Sequence, residues 1–203
     1  MSEIAAALLQ TWFGDWNDHT PTPDPCPQLQ LWWKKDPAVD AMLRDRFGEA
    51  NAAARRGDLN HWTESPRGTL ALVILLDQVS RNIHRDTADM FTADKRARAV
   101  AYAAIAHGDD MQLVPIERYF LYMPLMHSED PADHEESLHR FGQLVEATRG
   151  LARADNYENA LKYARMHADI IARFGRYPHR NALLGRESTP EERAFLQQPG
   201  SSF

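Results

Sequence analysis

The chain has one cysteine, Cys26, so neither an internal disulfide nor a cysteine-rich metal centre can form. Long apolar runs are also missing. The central run, Leu70 to Leu76, is seven residues, far short of the roughly 20 that a membrane-spanning helix needs. The opening MSEIAAALLQTWFGDW carries Glu3 early and no positive leader, which argues against a secretory signal. A cytoplasmic protein in a reducing compartment, away from membranes, is therefore expected. Positive excess is lacking too: 23 Lys and Arg face 29 Asp and Glu, a net charge of -6. Non-specific phosphate binding needs a basic surface, so no nucleic-acid partner is expected. Strand-type alternation does not persist beyond a few residues, which leaves an all-α fold. The P-loop, GxGxxG, GxSxG and HExxH signatures do not occur, and the commonest nucleotide, hydrolase and zinc-protease assignments lose their support with them.

What is there is organised around Pro66 to Arg85, PRGTLALVILLDQVSRNIHR. Ser65 and Pro66 form a helix-start signal. The seven apolar residues that follow leave no face suited to water, so this helix, about 66–83, should lie at the centre of an array of others. Asp77, Arg81 and Arg85 are four apart and predict one polar face on which the acid pairs with the first arginine.

Around this element the spacing predicts an amphipathic helix over Ser2 to Phe13 stopped by Gly14. A loop with four prolines follows from Asp18 to Pro27, and then an aromatic LWW, Leu31 to Trp33, that should dock on the core. Another helix runs from Asp36 and Pro37 to about Arg56 and stops at Gly57. Thr92 or Asp94 should cap a helix to His107. Pro115 opens the next, in which Pro124 should kink or end the helix near Leu121. Asp130 and Pro131 start a helix to about Thr148. Asp155 with Glu158 suggests a capping box for one to Phe174, and Thr189, Pro190 and Glu192 repeat the signature for a short last helix. Helix starts are too irregular for a strict repeat of about 34 residues. The expectation is an irregular antiparallel helix array in one domain spanning 1–203.

Three polar stretches sit among these apolar helices: Asp77 to Arg85, His127 to Asp130, and His167 to Arg186. In the last, Arg173, Arg176, Arg180 and Arg186 surround Gly175, Pro178, His179 and Asn181. Turn residues let guanidinium forks converge, and such forks match carboxylate and phosphate geometry. The opposite outcome is that Asp77, Glu129, Asp130 and Asp169 neutralise the arginines and simply lock the C-terminal segment to the core. His127, Glu129, Asp130 and His134 are donors that suit a metal, yet capping already explains Asp130, and Glu136 with His139 is a single Glu-x-x-His where a di-iron bundle needs two. Neither a metal nor a cofactor is expected. Ser128 beside His127 is a poor nucleophile candidate, because neighbours in the chain rarely point at each other. The five tryptophans of the N-terminal third are expected to bury against the central helix.

TWFGDW near the start, WWKKDPAVD at 32–40, LVILLDQVSRNIHR at 72–85, RYFLYMPLMHSED at 118–130 and FGRYPHRNALLGRESTPEE at 174–192 together resemble a bacterial family known as domain of unknown function 924. The resemblance spans nearly the whole chain. It implies an all-helical fold similar to the tetratricopeptide-like superfamily and carries no established reaction. Asp77, Gln78, Arg81 and Asn82 match the family's central motif. Val79-Ser80 stands where the family usually has Phe-Pro, which predicts a straighter central helix past Asp77.

The functional expectation is a cationic polar pocket for a small anionic ligand, a phosphorylated or carboxylated metabolite. Asp77, Gln78, Arg81 and Asn82 would form its floor, His127 and Glu129 one wall, and Arg176, His179, Arg180 and Asn181 its lid. Two alternatives stand beside it. One is a hydrolase or transferase with His127 or His179 as general acid or base. The other is a helical scaffold that binds a partner protein's peptide along a concave surface.

Overall fold

A computed structural model describes residues 1–201. It is an all-helical array, with no strand among the described residues. The first helices are α1 (Glu3–Phe13), α2 (Pro27–Trp33) and α3 (Pro37–Arg56). The central rod consists of α4 (Pro66–Ile74), a π turn over Leu75–Val79, and α5 (Ser80–Ile83). After it come α6 (Asp94–His107), α7 (Pro115–Met126), α8 (Pro131–Ala147), α9 (Ala154–Phe174) and α10 (Pro190–Phe195).

Local chemistry explains most boundaries. Ser2, Asp36, Ser65, Asp130 and Thr189 each accept a backbone N–H of the first turn that they precede, and four of those five helices begin with proline. Gly57, Gly108 and Gly175 end α3, α6 and α9 in the left-handed region, where a side chain is strained. Two capping expectations fail, and of the two outcomes expected at Pro124 the helix end does not occur. α6 has no side-chain cap, because the Asp94 carboxylate is engaged elsewhere. α9 starts after Arg153 without the Asp155–Glu158 box. Pro124 does not end α7, which continues to Met126; its ring falls in the last turn, where few further bonds depend on it.

Every residue from Gly68 to Ser80 is buried. α4 packs against α1, α6 and α7, while α3 lies along the π turn and α5. α7, α8 and α9 pack in succession, and buried residues from Ala5 to Ala164 form one continuous core. Leu70, Leu72, Ile74, Leu75 and Leu76 are wholly inaccessible, each worth about 2 kcal/mol of apolar burial. The polar end of the rod can thus carry imperfectly compensated charge without unfolding it. Trp12, Trp32 and Trp62 are buried as expected, whereas Trp33 is 50% exposed. Among the described residues no helix is long and apolar enough to cross a membrane.

The rod is not one continuous α-helix. Its π turn closes with the Ser80 N–H donating to the Leu75 carbonyl, five residues back. That carbonyl also accepts from Asn51 Nδ2 at 2.7 Å and Ser80 Oγ at 3.2 Å, and Asn51 donates to Ser80 Oγ at 2.8 Å. α3 therefore supplies a fixed polar clamp on the widened turn. Such single π turns are local departures from the α-helix that recur at functional sites, and this one carries Asp77 and Gln78.

Candidate functional site

Asp77 is wholly buried and lies at the centre of the polar cluster. Its Oδ1 pairs with His127 Nδ1 at 2.7 Å and accepts from Arg81 Nη2 at 3.2 Å; its Oδ2 accepts from Gln78 Nε2 at 2.5 Å. His127 comes from the end of α7, just past Met126. Arg81 reaches across to Asp94 at the start of α6, with Nη2 3.1 Å from both carboxylate oxygens. Arg180, in a short 3-10 turn over Pro178–Arg180, meets the same acid through Nη1 at 3.3 Å and donates Nη2 to the His127 carbonyl at 2.8 Å. Its guanidinium lies between the rings of Phe91 and Tyr177, 4.6 and 4.5 Å from their centroids, within range of cation–π attraction. Tyr177 donates its hydroxyl to the Met126 carbonyl at 2.5 Å. The C-terminal stretch thus caps the carbonyl end of α7, where positive charge is favoured.

The charges are unevenly satisfied. Burial opposes ionisation of Asp77, but the His127 N–H bonded to it, the Arg81 charge and the Gln78 amide outweigh that and hold its carboxyl below the usual range. Burial likewise opposes the charge on Arg81, and Asp94 and Asp77 more than restore it. Arg180 is different. Burial and the neighbouring Arg81 pull it down to about 10 despite Asp94. Its residue is 7% exposed, and its Nε, like that of Arg81, is buried with no hydrogen-bond partner. Burial also lowers His127, more than Asp77 raises it, which leaves the ring neutral at neutral pH. His179 is pushed down to about 4 by burial and then by Arg180 and Arg81.

The expected site residues divide among three networks. Asp77, Gln78, Arg81, His127 and Arg180 meet directly, with His179 near enough for its ring to lie 5.4 Å from that of Tyr177. Asn82 turns to another acid, donating to Asp40 at 2.8 Å, and Arg85 joins it there through bonds of 2.6 and 2.8 Å. Arg85 does not share the Asp77 face because α5 ends at Ile83. Glu129, Arg176 and Asn181 belong to the third network. Arg186 forks onto Glu129 at 2.7 and 2.9 Å, and Glu129 also accepts the Tyr177 N–H at 2.8 Å. Arg176 forks onto Glu192 at 2.6 and 2.8 Å, and Asn181 donates to Glu192 at 3.3 Å and Ser188 at 3.0 Å. These pairs tie residues 176–192 to one another and to the α7–α8 connection.

Asp94, Phe91, Tyr177 and Asn51 were not singled out by sequence. Asp94 reads as an ordinary helix-start acid, and nothing local marks its partners. Ser128 is committed away from His127: Arg98 and Asp133 hold its hydroxyl, the latter at 2.5 Å, and it accepts the Asp130 N–H at 3.0 Å. Among the described residues no group of three or more His, Cys, Asp or Glu side chains is placed to hold a metal ion.

Comparison with known proteins agrees with this architecture. A solved structure of a protein of unknown function from Agrobacterium tumefaciens is 37% identical, with a TM-score of 0.78 over 96% of this chain and 97% of its own. No curated protein matches the chain. The sequence model of a family described as bacterial protein of unknown function, DUF924, matches residues 8–200. With the match covering nearly its whole length, the chain belongs to the DUF924 family of bacterial proteins of unknown function.

Proposed function

We propose that the protein binds a small anion, a phosphorylated or carboxylated metabolite, where Arg81, His127 and Arg180 meet. The observation that carries this reading is the state of Arg180: a buried guanidinium which, among the described residues, bonds to one carboxylate, that of Asp94, at 3.3 Å and shared with Arg81, and whose Nε meets no partner there. Buried cations are normally fully paired and hydrogen-bonded, and one left short of counter-charge gains from an incoming anion. The approach is from the side on which Asp94, Arg81 and His127 keep 20%, 17% and 12% of their side-chain exposure. Arg81 and Arg180 offer guanidinium donors, a set suited to a planar carboxylate or a phosphate.

Thermal unfolding against a panel of phosphorylated and carboxylated metabolites, with inorganic phosphate and citrate included, tests this. A ligand at about 100 times its Kd stabilises by about 2.7 kcal/mol, which at this chain length raises Tm by about 5 to 10 °C. The shift should disappear in Arg180→Gln. A panel that moves nothing contradicts the proposal.

One observation favours a second reading, docking of a partner's peptide. Half-exposed Trp33, with Pro25, Cys26 and Leu29, lines an open recess of about 580 Å³ on the α2 surface. Loss of partner binding in Trp33→Ser, with the helical fold retained by circular dichroism, is the result expected from it.

A further inference from the structure

Within the anion site, the Asp77–His127 pair has the arrangement of a proton-transfer unit. Asp77 is held by three donors on a clamped π turn, and its Oδ1 lies 2.7 Å from His127 Nδ1. Because an ionised carboxylate can only accept, the proton of that bond sits on Nδ1, and the lone pair of the neutral ring is left on Nε2. Nε2 makes no hydrogen bond among the described residues, and the side chain keeps 12% of its exposure. Arg180 is anchored to the carbonyl of the same histidine at 2.8 Å and brings an unpaired Nε–H. A base oriented by an acid, with a donor for developing negative charge fixed beside it, is the constellation used for acyl transfer. Ser128 is engaged by Arg98 and Asp133, so the nucleophile left is water.

We propose that His127, oriented by Asp77, is a general base that hydrolyses a small carboxylic ester bearing an anionic group; this rests on the anion-binding reading above. Arg81 holds the substrate's anionic group. His127 Nε2 takes one proton from a water molecule as the water oxygen bonds to the acyl carbon, and the carbonyl electron pair moves onto oxygen, where Arg180 stabilises it. The carbonyl re-forms, the C–O bond to the alcohol breaks, and the leaving oxygen keeps its electron pair and takes the proton back from His127. Ester and water become acid and alcohol, with no other reactant. Asp77 is a positioning residue. Burial sets the proton affinity of His127 first, followed by Asp77 on the π turn, Arg81 on α5 and Asp94 on α6; His134 on α8, His167 on α9 and His179 in the C-terminal stretch also face it, and Arg180 is anchored to its carbonyl.

The test follows hydrolysis of 4-acetoxybenzoate by the full chain, with uncharged phenyl acetate as comparator. The anionic ester should have a kcat/KM at least about tenfold higher, since Arg81 engages only the charged substrate. Its kcat/KM should rise with pH along one limb to a plateau as His127 loses its proton. His127→Gln should lower kcat about 100-fold or more. Asp77→Asn should move the limb to lower pH and lower the plateau, because a negative neighbour no longer favours the imidazolium. Wild-type protein that is stabilised by inorganic phosphate but hydrolyses neither ester above the buffer rate keeps the anion site and overturns the base. Undiminished turnover in His127→Gln overturns it as well. Absence of both a phosphate shift and turnover removes the anion reading too.

Discussion

Replacing Asp77 with alanine tests whether the acid at the rod's polar end is as deeply committed as its geometry implies. The carboxylate accepts from Gln78 and Arg81 and pairs with His127, at 2.5, 3.2 and 2.7 Å. Arg81 keeps both oxygens of Asp94 at 3.1 Å, so its charge is not stranded. The His127 Nδ1–H and the Gln78 amide lose their acceptor in a buried environment, at about 1 to 3 kcal/mol each. Breaking a buried ion pair by removing one partner costs about 3 to 5 kcal/mol. Because Arg81 retains Asp94, the lower part of that range applies, about 3 to 4 kcal/mol. Asp77→Asn preserves shape and one acceptor and should lose about half as much. Equilibrium urea unfolding followed by circular dichroism and tryptophan fluorescence measures this, provided the two transitions coincide. A loss below about 0.5 kcal/mol for Asp77→Ala would refute the buried-pair assignment, since that is the range of exposed substitutions.

Four further outcomes are expected. Burial, then nearby positive charge and ring neighbours, holds His167 at about 3 and His179 at about 4. Unfolded histidines take up protons below about 6.5 while these stay neutral, so stability should be full above that pH and fall as pH drops. The slope between about pH 6 and pH 4 should reach about 1.4 kcal/mol per pH unit for each of the two, and a flat profile in acid unfolding contradicts it. Asn51→Ala removes the clamp on the π turn and should cost about 1 to 3 kcal/mol, with faster amide exchange at Ser80; unchanged exchange there argues that the turn holds itself. Gly68→Ala should destabilise by about 1 to 3 kcal/mol, because the added Cβ would lie 2.3 Å from the Trp62 carbonyl oxygen; a stabilised variant rules out that close approach. Glu192→Gln breaks a fork onto Arg176 and weakens acceptance of the Thr189 N–H, so proteolysis should begin within residues 176–192 while the core resists. Cleavage starting elsewhere argues against that network as the strap.

The helix boundaries were readable because each is written locally, by a capping oxygen, a proline at the first turn, or a glycine one step past the end. The π turn was not, since an unbroken apolar run looks the same whether the backbone closes four or five residues back. What fixes it is Asn51, a residue 24 positions from the carbonyl it holds. The same limit applies to the site. Asp77 and Arg81 announce themselves by their spacing, yet Asn82, one residue on and about 100° round the helix, meets Asp40 instead. In the irregular C-terminal stretch no periodicity relates neighbours, so Arg176 and Arg180, alike in sequence, end up on Glu192 and Asp94. Asp94 itself has the look of a cap and is the acid that joins two arginines. Its role exists only once α5, α6 and the C-terminal turn have met.

The most direct measurement is the anomalous difference map of crystals soaked in tungstate, a heavy analogue of phosphate. A peak is expected within hydrogen-bonding distance of Arg180 Nε, beside Arg81 and His127, and no peak at that position in Arg180→Gln crystals. A map with no peak there, and with Arg81, His127 and Arg180 bonded only to the protein groups they already meet, would contradict the anion site.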